Sequence, residues 1–226
     1  MYKKPSNREF RKIFDKFAFQ YDKSLNKYSL KRRIDFIKKH VSGKCLEVGA
    51  GTGEISKVLI KNFDVIATDI SPNMVDQIKD KLKIKTYVSD AEKLPFKNNS
   101  FNTIIAAEMI YYLDNPRKFL NETKRILKPG GKLILTSANN TTIVYDWVRM
   151  LLRSLGFKSM YFDDKNRKFI TFNNINTMMV ESGLKPIEIK FGILIPSEKF
   201  DGFNKWVEKT ILKKLCSFIY IVAQKQ

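Results

Sequence analysis

The sequence predicts an α/β fold: a doubly wound, mostly parallel sheet of seven strands, with helices before it and an insertion after strand five. Three observations carry this. Between about Lys44 and Thr136, short apolar runs alternate with helical stretches across short connections. The first run, Cys45-Leu46-Glu47-Val48, opens directly into the glycine-rich turn Gly49-Ala50-Gly51-Thr52-Gly53. The chain has 226 residues, 43% of them hydrophobic, which is enough for one substantial core.

Each element follows in order. Two helices come first, around Arg8–Phe19 and Leu30–His40. After the strand at Cys45–Val48, Ile55, Val58 and Leu59 share one face of a short helix over Glu54–Lys61. Asp64–Thr68 is the second strand. Ser71-Pro72 pairs an N-cap with proline at the first helical position, which starts a helix running to about Leu82. Ile84–Val88 and Thr103–Ala107 are the third and fourth strands. Phe119, Leu120, Thr123, Ile126 and Leu127 form the inner stripe of a helix over Pro116–Leu127. Pro129-Gly130-Gly131 stops that helix, and Lys132–Thr136 is the fifth strand. Thr141–Gly156 reads as a helix with a wide apolar face, and Asn173–Ser182 as another ending at Gly183. Ile187–Phe191 and Ser217–Ala223 complete the sheet.

Composition excludes several classes. Two cysteines rule out a disulfide scaffold or a cysteine-based zinc cluster, and the lone His40 rules out a histidine-rich metal site. No metal centre is expected. No apolar run approaches the ~20 residues of a spanning helix, and no secretory signal is visible, so a soluble cytoplasmic protein is expected. The net charge is +19. Residues 1–44 hold 14 Lys/Arg against 4 Asp/Glu, about half of that excess. Such a segment can steer an anionic partner, but Lys outnumbers Arg 33 to 9, as on ordinary solvated surfaces.

The glycine turn carries the chemistry. Glycines accept positive φ and let a ligand approach the main chain. Ligands of open α/β sheets sit at the carboxyl ends of the strands, where strand order reverses. Asp69 ends the second strand and is placed to accept from both hydroxyls of a ribose. A nicotinamide site wants G-x-G-x-x-G, but Glu54 occupies the third glycine's position. Glu47 beside the turn disfavours a pyrophosphate and suits a ligand bearing an amino or cationic group. No P-loop motif is present.

At these residues the chain resembles the class I S-adenosylmethionine-dependent methyltransferases, over about Phe14 to Val222. Glu47-Val48-Gly49-Ala50-Gly51-Thr52-Gly53 matches the family's first motif. Asp69 matches its ribose acid, and Asp90-Ala91-Glu92 with Leu94-Pro95-Phe96 its adenine segment. Leu127-Lys128-Pro129-Gly130-Gly131 matches its turn into strand five. Phe14-Asp15, Ala18 and Tyr21-Asp22 resemble the signature of the ubiquinone/menaquinone-biosynthesis C-methyltransferases and their small-molecule relatives. Asn102 departs from the Asp usual before strand four, at a position expected to be structural. The resemblance implies a Rossmann-like fold, S-adenosyl-L-methionine as cofactor, and a helical arm over 1–43 capping a domain over 44–226. It also implies that Tyr21, Glu47, Gly49, Ala50, Gly51, Gly53, Asp69, Ile70, Met74, Asp90, Ala91, Glu92 and Glu108 bind the cofactor.

The acceptor is less sharply written. Strand four ends in Ala107-Glu108-Met109-Ile110-Tyr111-Tyr112. Glu108 and Tyr112 are the catalytic candidates, with Tyr111 beside them and His40 the only histidine available as a base. The Asn/Asp-Pro-Pro-aromatic turn of base-amine methylation is absent, which makes nucleic acid the less favoured partner. An insertion over about 141–168 implies a lid. Its apolar face, with Arg149, Arg153, Lys165, Arg167 and Lys168 near it, suits a greasy small molecule or an anionic membrane surface. The alternative is RNA or protein as acceptor, gripped by the basic arm. Oligomeric state and the atom methylated leave no signature.

Overall fold

The computed structural model describes residues 6–139 and 171–226. The predicted lid over Thr141–Lys168 lies outside them. The strands are β1 (Cys45–Val48), β2 (Val65–Asp69), β3 (Lys85–Val88), β4 (Phe101–Ala107), β5 (Leu127–Ala138), β6 (Leu184–Gly192) and β7 (Phe218–Lys225). They form one seven-stranded sheet in the order β3-β2-β1-β4-β5-β7-β6. Strands β1 to β5 pair in parallel, while β7 runs antiparallel to both β5 and β6. The chain from β6 to β7 stays at one end of the sheet, so β7 must run back against its neighbours.

Helices α1 (Asn7–Phe17), α2 (Tyr21–Ser24) and α3 (Lys27–His40) precede the sheet. Ser6 and Glu9 form a capping box at the start of α1. Within the sheet region follow α4 (Glu54–Leu59), α5 (Pro72–Lys81), α6 (Pro116–Ile126), α7 (Phe172–Glu181) and α8 (Asp201–Val207). The Ser71 hydroxyl caps α5 ahead of Pro72, as the sequence predicts.

The sheet separates two apolar layers. Residues alternate along β7: Ile219, Ile221 and Ala223 face the layer of Phe119, Leu120 and Met179, while Tyr220 and Val222 face that of Phe36, Ile37 and Leu59. Cys45 and Cys216 are buried free thiols.

Several elements differ from the sequence reading. Strand β5 begins at Leu127, opposite Phe101, and then slips to pair Lys132 with Thr103. The turn at Pro129–Gly131 is therefore a bulge inside the strand, with Gly130 at φ 73°. Strand β6 starts at Leu184 rather than Ile187. Pro186 fits there because β6 is an edge strand with one side unpaired. Helix α8 has no counterpart in the sequence reading, because its large apolar residues do not face the core.

Candidate functional site

Strand order reverses between β1 and its two neighbours, β2 and β4. A cavity opens at the carboxyl ends of these strands, enclosing about 690 Å³ including its mouth. The glycine turn forms its floor. Gly49 and Gly51 have φ of 67° and 56° and both line the cavity. A Cβ on Gly51 would meet the Tyr21 ring at 3.1 Å, so Tyr21 lies directly on the turn.

Two carboxylates line the cavity, Asp69 and Asp90. Asp69 accepts from the Gly51 backbone at 2.8 Å and the Ser71 backbone at 2.9 Å. Burial pushes its carboxyl up to about 6, against these bonds. Asp90 accepts from the Glu92 backbone at 2.9 Å and from the Asn7 side chain at 3.1 Å. Ile70, Met74, Ala91, Met109 and Leu113 contribute apolar wall.

Glu108 ends β4 in the left-handed region, at φ 57°. One carboxylate oxygen accepts from Thr136 Oγ1 at 3.0 Å and lies 3.5 Å from the Arg33 guanidinium. The other accepts from Tyr111 Oη at 3.1 Å. Tyr112 lines the cavity, its ring 5.1 Å from those of both Phe10 and Phe14. Tyr111 instead belongs to the core.

The arm covers the mouth and is tied down at three places. Asn7 reaches Asp90, Glu92 and the backbone of Asp114. Asp15 accepts from Ser71 Oγ at 2.6 Å and the Asn73 backbone at 2.9 Å. Asp22 binds the Thr52 hydroxyl and Lys81.

Of the residues predicted for the site, Tyr21, Gly49, Gly51, Asp69, Ile70, Met74, Asp90, Ala91, Glu108 and Tyr112 line this cavity. Four do not reach its wall. Glu47 is buried behind the turn, bonded to Ser56 Oγ. Ala50 packs with Ala67, Ile78 and Leu82. Gly53, at φ 85°, turns toward α5, where a Cβ would lie 3.1 Å from Ile78 and Leu82. Glu92 accepts from the Asn115 backbone at 2.7 Å and holds the start of α6. His40 is not at the site. It ends α3 beside Glu188, 3.4 Å away, with burial pulling its pKa down. Asn102 is structural, accepting from the Lys44 backbone at 3.2 Å.

A family model described as a methyltransferase domain matches residues 46–135. An uncharacterised protein of Methanocaldococcus jannaschii is 32% identical over 193 residues, covering 84% of this chain and 89% of its own length. A ubiquinone/menaquinone biosynthesis C-methyltransferase of Desulfotalea psychrophila is 28% identical over 158 residues, covering 63% of this chain and 64% of its own. A solved S-adenosylmethionine-dependent methyltransferase of Thermotoga maritima superposes with a TM-score of 0.73 at 22% identity, covering 95% of this chain and 99% of that one. This chain belongs to the class I S-adenosylmethionine-dependent methyltransferases.

Among this methyltransferase's cavity residues, the sequence reading missed Asn7 and Phe10 as wall. A signal was present: Phe10, Phe14 and Phe17 recur at helical spacing on a largely polar helix. Nothing local marks Asn7, whose partner Asp90 is 83 residues away.

Glu47 gives the methyltransferase a measurable pH dependence. Burial pushes its carboxyl up to about 7, against the Ser56 hydrogen bond. A carboxyl raised on folding contributes stability that is fully present below its unfolded value and lost as pH rises through about 7. Glu47→Gln keeps an oxygen for Ser56 and removes the buried charge. The variant is expected to exceed the parent in stability by about 3 kcal/mol at pH 8 and by only about 1 kcal/mol at pH 5. Urea unfolding at both pH values measures this, and equal shifts would show that ionisation of Glu47 is not the cause.

Proposed function

We propose that this methyltransferase acts on a small, apolar acceptor such as an aromatic, quinone-like or lipid molecule. The observation that carries this is the aromatic roof: Phe10 and Phe14 of the arm close against Tyr112 over the strand ends. A roof tied down by Asn7, Asp15 and Asp22 leaves a covered, apolar space, which a polymer enters poorly. The likeness to the quinone-biosynthesis enzyme supports the same acceptor class.

The cavity's donor set fits the cofactor. Asp69 is a buried carboxylate in its wall, Asp90 is another carboxylate, and apolar side chains share the wall with them. That is the chemistry a nucleoside needs, with acceptors for ribose hydroxyls and an adenine amino group beside apolar surface. In this reading Asp69 takes the ribose, and Asp90 with Ala91 takes adenine. Gly49 and Gly51 admit the methionine part, and Tyr21 shuts the turn. Glu47, Ala50, Gly53 and Glu92 support these positions from behind. When bound, the cofactor supplies a methyl group on a cationic sulfur, already activated for transfer. The chain's own work is to bind, orient and exclude water. Glu108 stands at the strand end with both oxygens engaged, as a positioned acceptor beside the reacting space.

Incubating the enzyme with methyl-labelled cofactor and a cell extract tests the proposal. Label is expected in the organic-soluble fraction. Label confined to RNA or protein overturns the small-molecule reading and assigns the basic arm to gripping a polymer.

A further inference from the structure

The segment between β6 and β7 carries a surface that the site does not use. Phe200, Phe203, Trp206, Ile211 and Leu212 are exposed there, Trp206 by 55% and Ile211 by 88%. Phe203 and Trp206 stack at 5.9 Å, which joins them into one apolar plate. Solvent-exposed apolar clusters of this kind mark interaction sites.

The plate stands on a fixed frame. Asn204, fully buried, accepts from the Leu194 and Ile195 backbones at 2.9 Å and donates to Ile195 O at 2.8 Å. Val207 is buried beside it. The aromatics therefore point outward because α8 is held with its other face on the core.

Charge is sorted across the same segment. Glu208 turns inward and makes two bonds to Arg32, at 2.8 and 2.9 Å. Asp201 turns inward to Tyr28 and Arg32, at 2.9 and 3.1 Å, and also holds Lys205 at 2.7 Å. Glu198, 4.0 Å from Lys31, is the acid that stays outside. Lys199, Lys205, Lys209, Lys213 and Lys214 are all exposed between and around the apolar residues. The outward face is thus apolar and cationic.

Its place in the fold matters as well. Strand β6 runs parallel to β5, so the β6–β7 connection lies at the carboxyl ends of the strands, the same end of the sheet as the cavity. Asn139, the last described residue of the β5 exit, donates to the carbonyls of Lys214 and Cys216 at 3.1 and 2.8 Å.

We propose that residues 199–214 form a docking surface for an anionic phospholipid membrane. Protein interfaces are depleted in lysine. Nucleic-acid surfaces favour arginine and stacking rings over aliphatic tips such as Ile211 and Leu212. Aromatic and aliphatic residues ringed by lysine match the boundary between acyl chains and anionic headgroups. Docking by this face turns the cavity end of the sheet toward the bilayer. The proposal does not depend on which acceptor the enzyme methylates.

The test uses the full chain carrying Trp147→Phe, which leaves Trp206 as the reporter, since the sequence has 2 tryptophans. Vesicles of phosphatidylcholine alone are compared with vesicles that also contain phosphatidylglycerol. The anionic vesicles are expected to sediment the protein and to shift Trp206 emission to the blue, while the neutral ones do so weakly. Phe203→Ser with Trp206→Ser, followed by sedimentation, should abolish binding. Lys209→Glu, Lys213→Glu and Lys214→Glu together should weaken it roughly a hundredfold, at about fivefold per lysine. Phe203, Trp206, Lys209, Lys213 and Lys214 are exposed, and thermal melts check that each variant folds. Equal binding to both vesicles, undiminished binding by either variant, or a Trp206 shift with an oligonucleotide but not with vesicles overturns the proposal. Unchanged stabilisation by S-adenosylhomocysteine in these variants keeps that failure separate from a failure of the cofactor site.

Discussion

Asp69→Ala is expected to remove nearly all the thermal stabilisation that S-adenosylhomocysteine gives the parent enzyme. A buried carboxylate accepting from two ribose hydroxyls makes two charge-assisted hydrogen bonds, worth about 1.5–3 kcal/mol each. Losing both corresponds to roughly a hundredfold to ten-thousandfold in affinity. At ligand ~100 times the parent's Kd, the parent gains about 2.7 kcal/mol, and the variant should gain almost nothing. The substitution also strands the Gly51 and Ser71 backbone donors, which costs stability in the free protein. Asp69→Asn retains an acceptor oxygen and the same shape, and should lose affinity while staying closer to the parent's melting temperature. Full retention of the ligand-induced shift in both variants would move the ribose elsewhere.

The same residue predicts opposite pH trends for the free and bound protein. Burial raises the Asp69 carboxyl to about 6. Its contribution to folding is therefore fully present below the unfolded value and lost as pH rises through about 6. Binding needs the ionised acceptor, so affinity should hold above pH 7 and fall about tenfold by pH 5. Titration calorimetry at both pH values reads the second trend without interference from the first.

What the sequence makes legible is what repeats locally. β1, β2 and β4 are buried on both faces, so they appear as apolar runs, and the turn glycines and Asp69 follow them at βα spacing. The cavity's floor was therefore readable. Its roof was readable only in part: the capping arm, Tyr21 and Tyr112 are expected, but Asn7 meets Asp90 and Phe10 meets Tyr112 only after the arm folds back. Glu47 shows the converse. Its place in the motif suggests the wall, yet as a β1 residue paired beside Ala67 its side chain turns behind the turn to Ser56. Helix α8 was invisible because a periodicity test looks for an apolar face against a core, and its aromatics face solvent.

Glu108 joins the least legible feature to the chemistry, and removing it is expected to be costly in a diagnostic way. A glutamate at φ 57° is held against its own backbone preference, by about 1–3 kcal/mol. What holds it is a buried network: its backbone N–H donates to Thr136 O at 2.9 Å, and its side chain meets Thr136, Tyr111 and Arg33. Arg33 is itself half-buried, over the Phe218 ring at 5.9 Å, and its buried Nε finds no partner among the described residues. The guanidinium cannot shed its proton. Glu108→Ala therefore leaves a half-buried charge without its counter-charge and is expected to cost about 3 kcal/mol, the low end for a buried pair. Arg33→Met with Glu108→Ala removes both charges and should recover most of that loss, giving a coupling of a few kcal/mol in a double-mutant cycle closed by Arg33→Met alone. Turnover separates structure from chemistry. If Glu108 only neutralises Arg33, the double variant regains activity with its stability. If Glu108 orients or deprotonates the acceptor, the double variant folds and binds S-adenosylhomocysteine as the parent does, with kcat still reduced about a hundredfold or more.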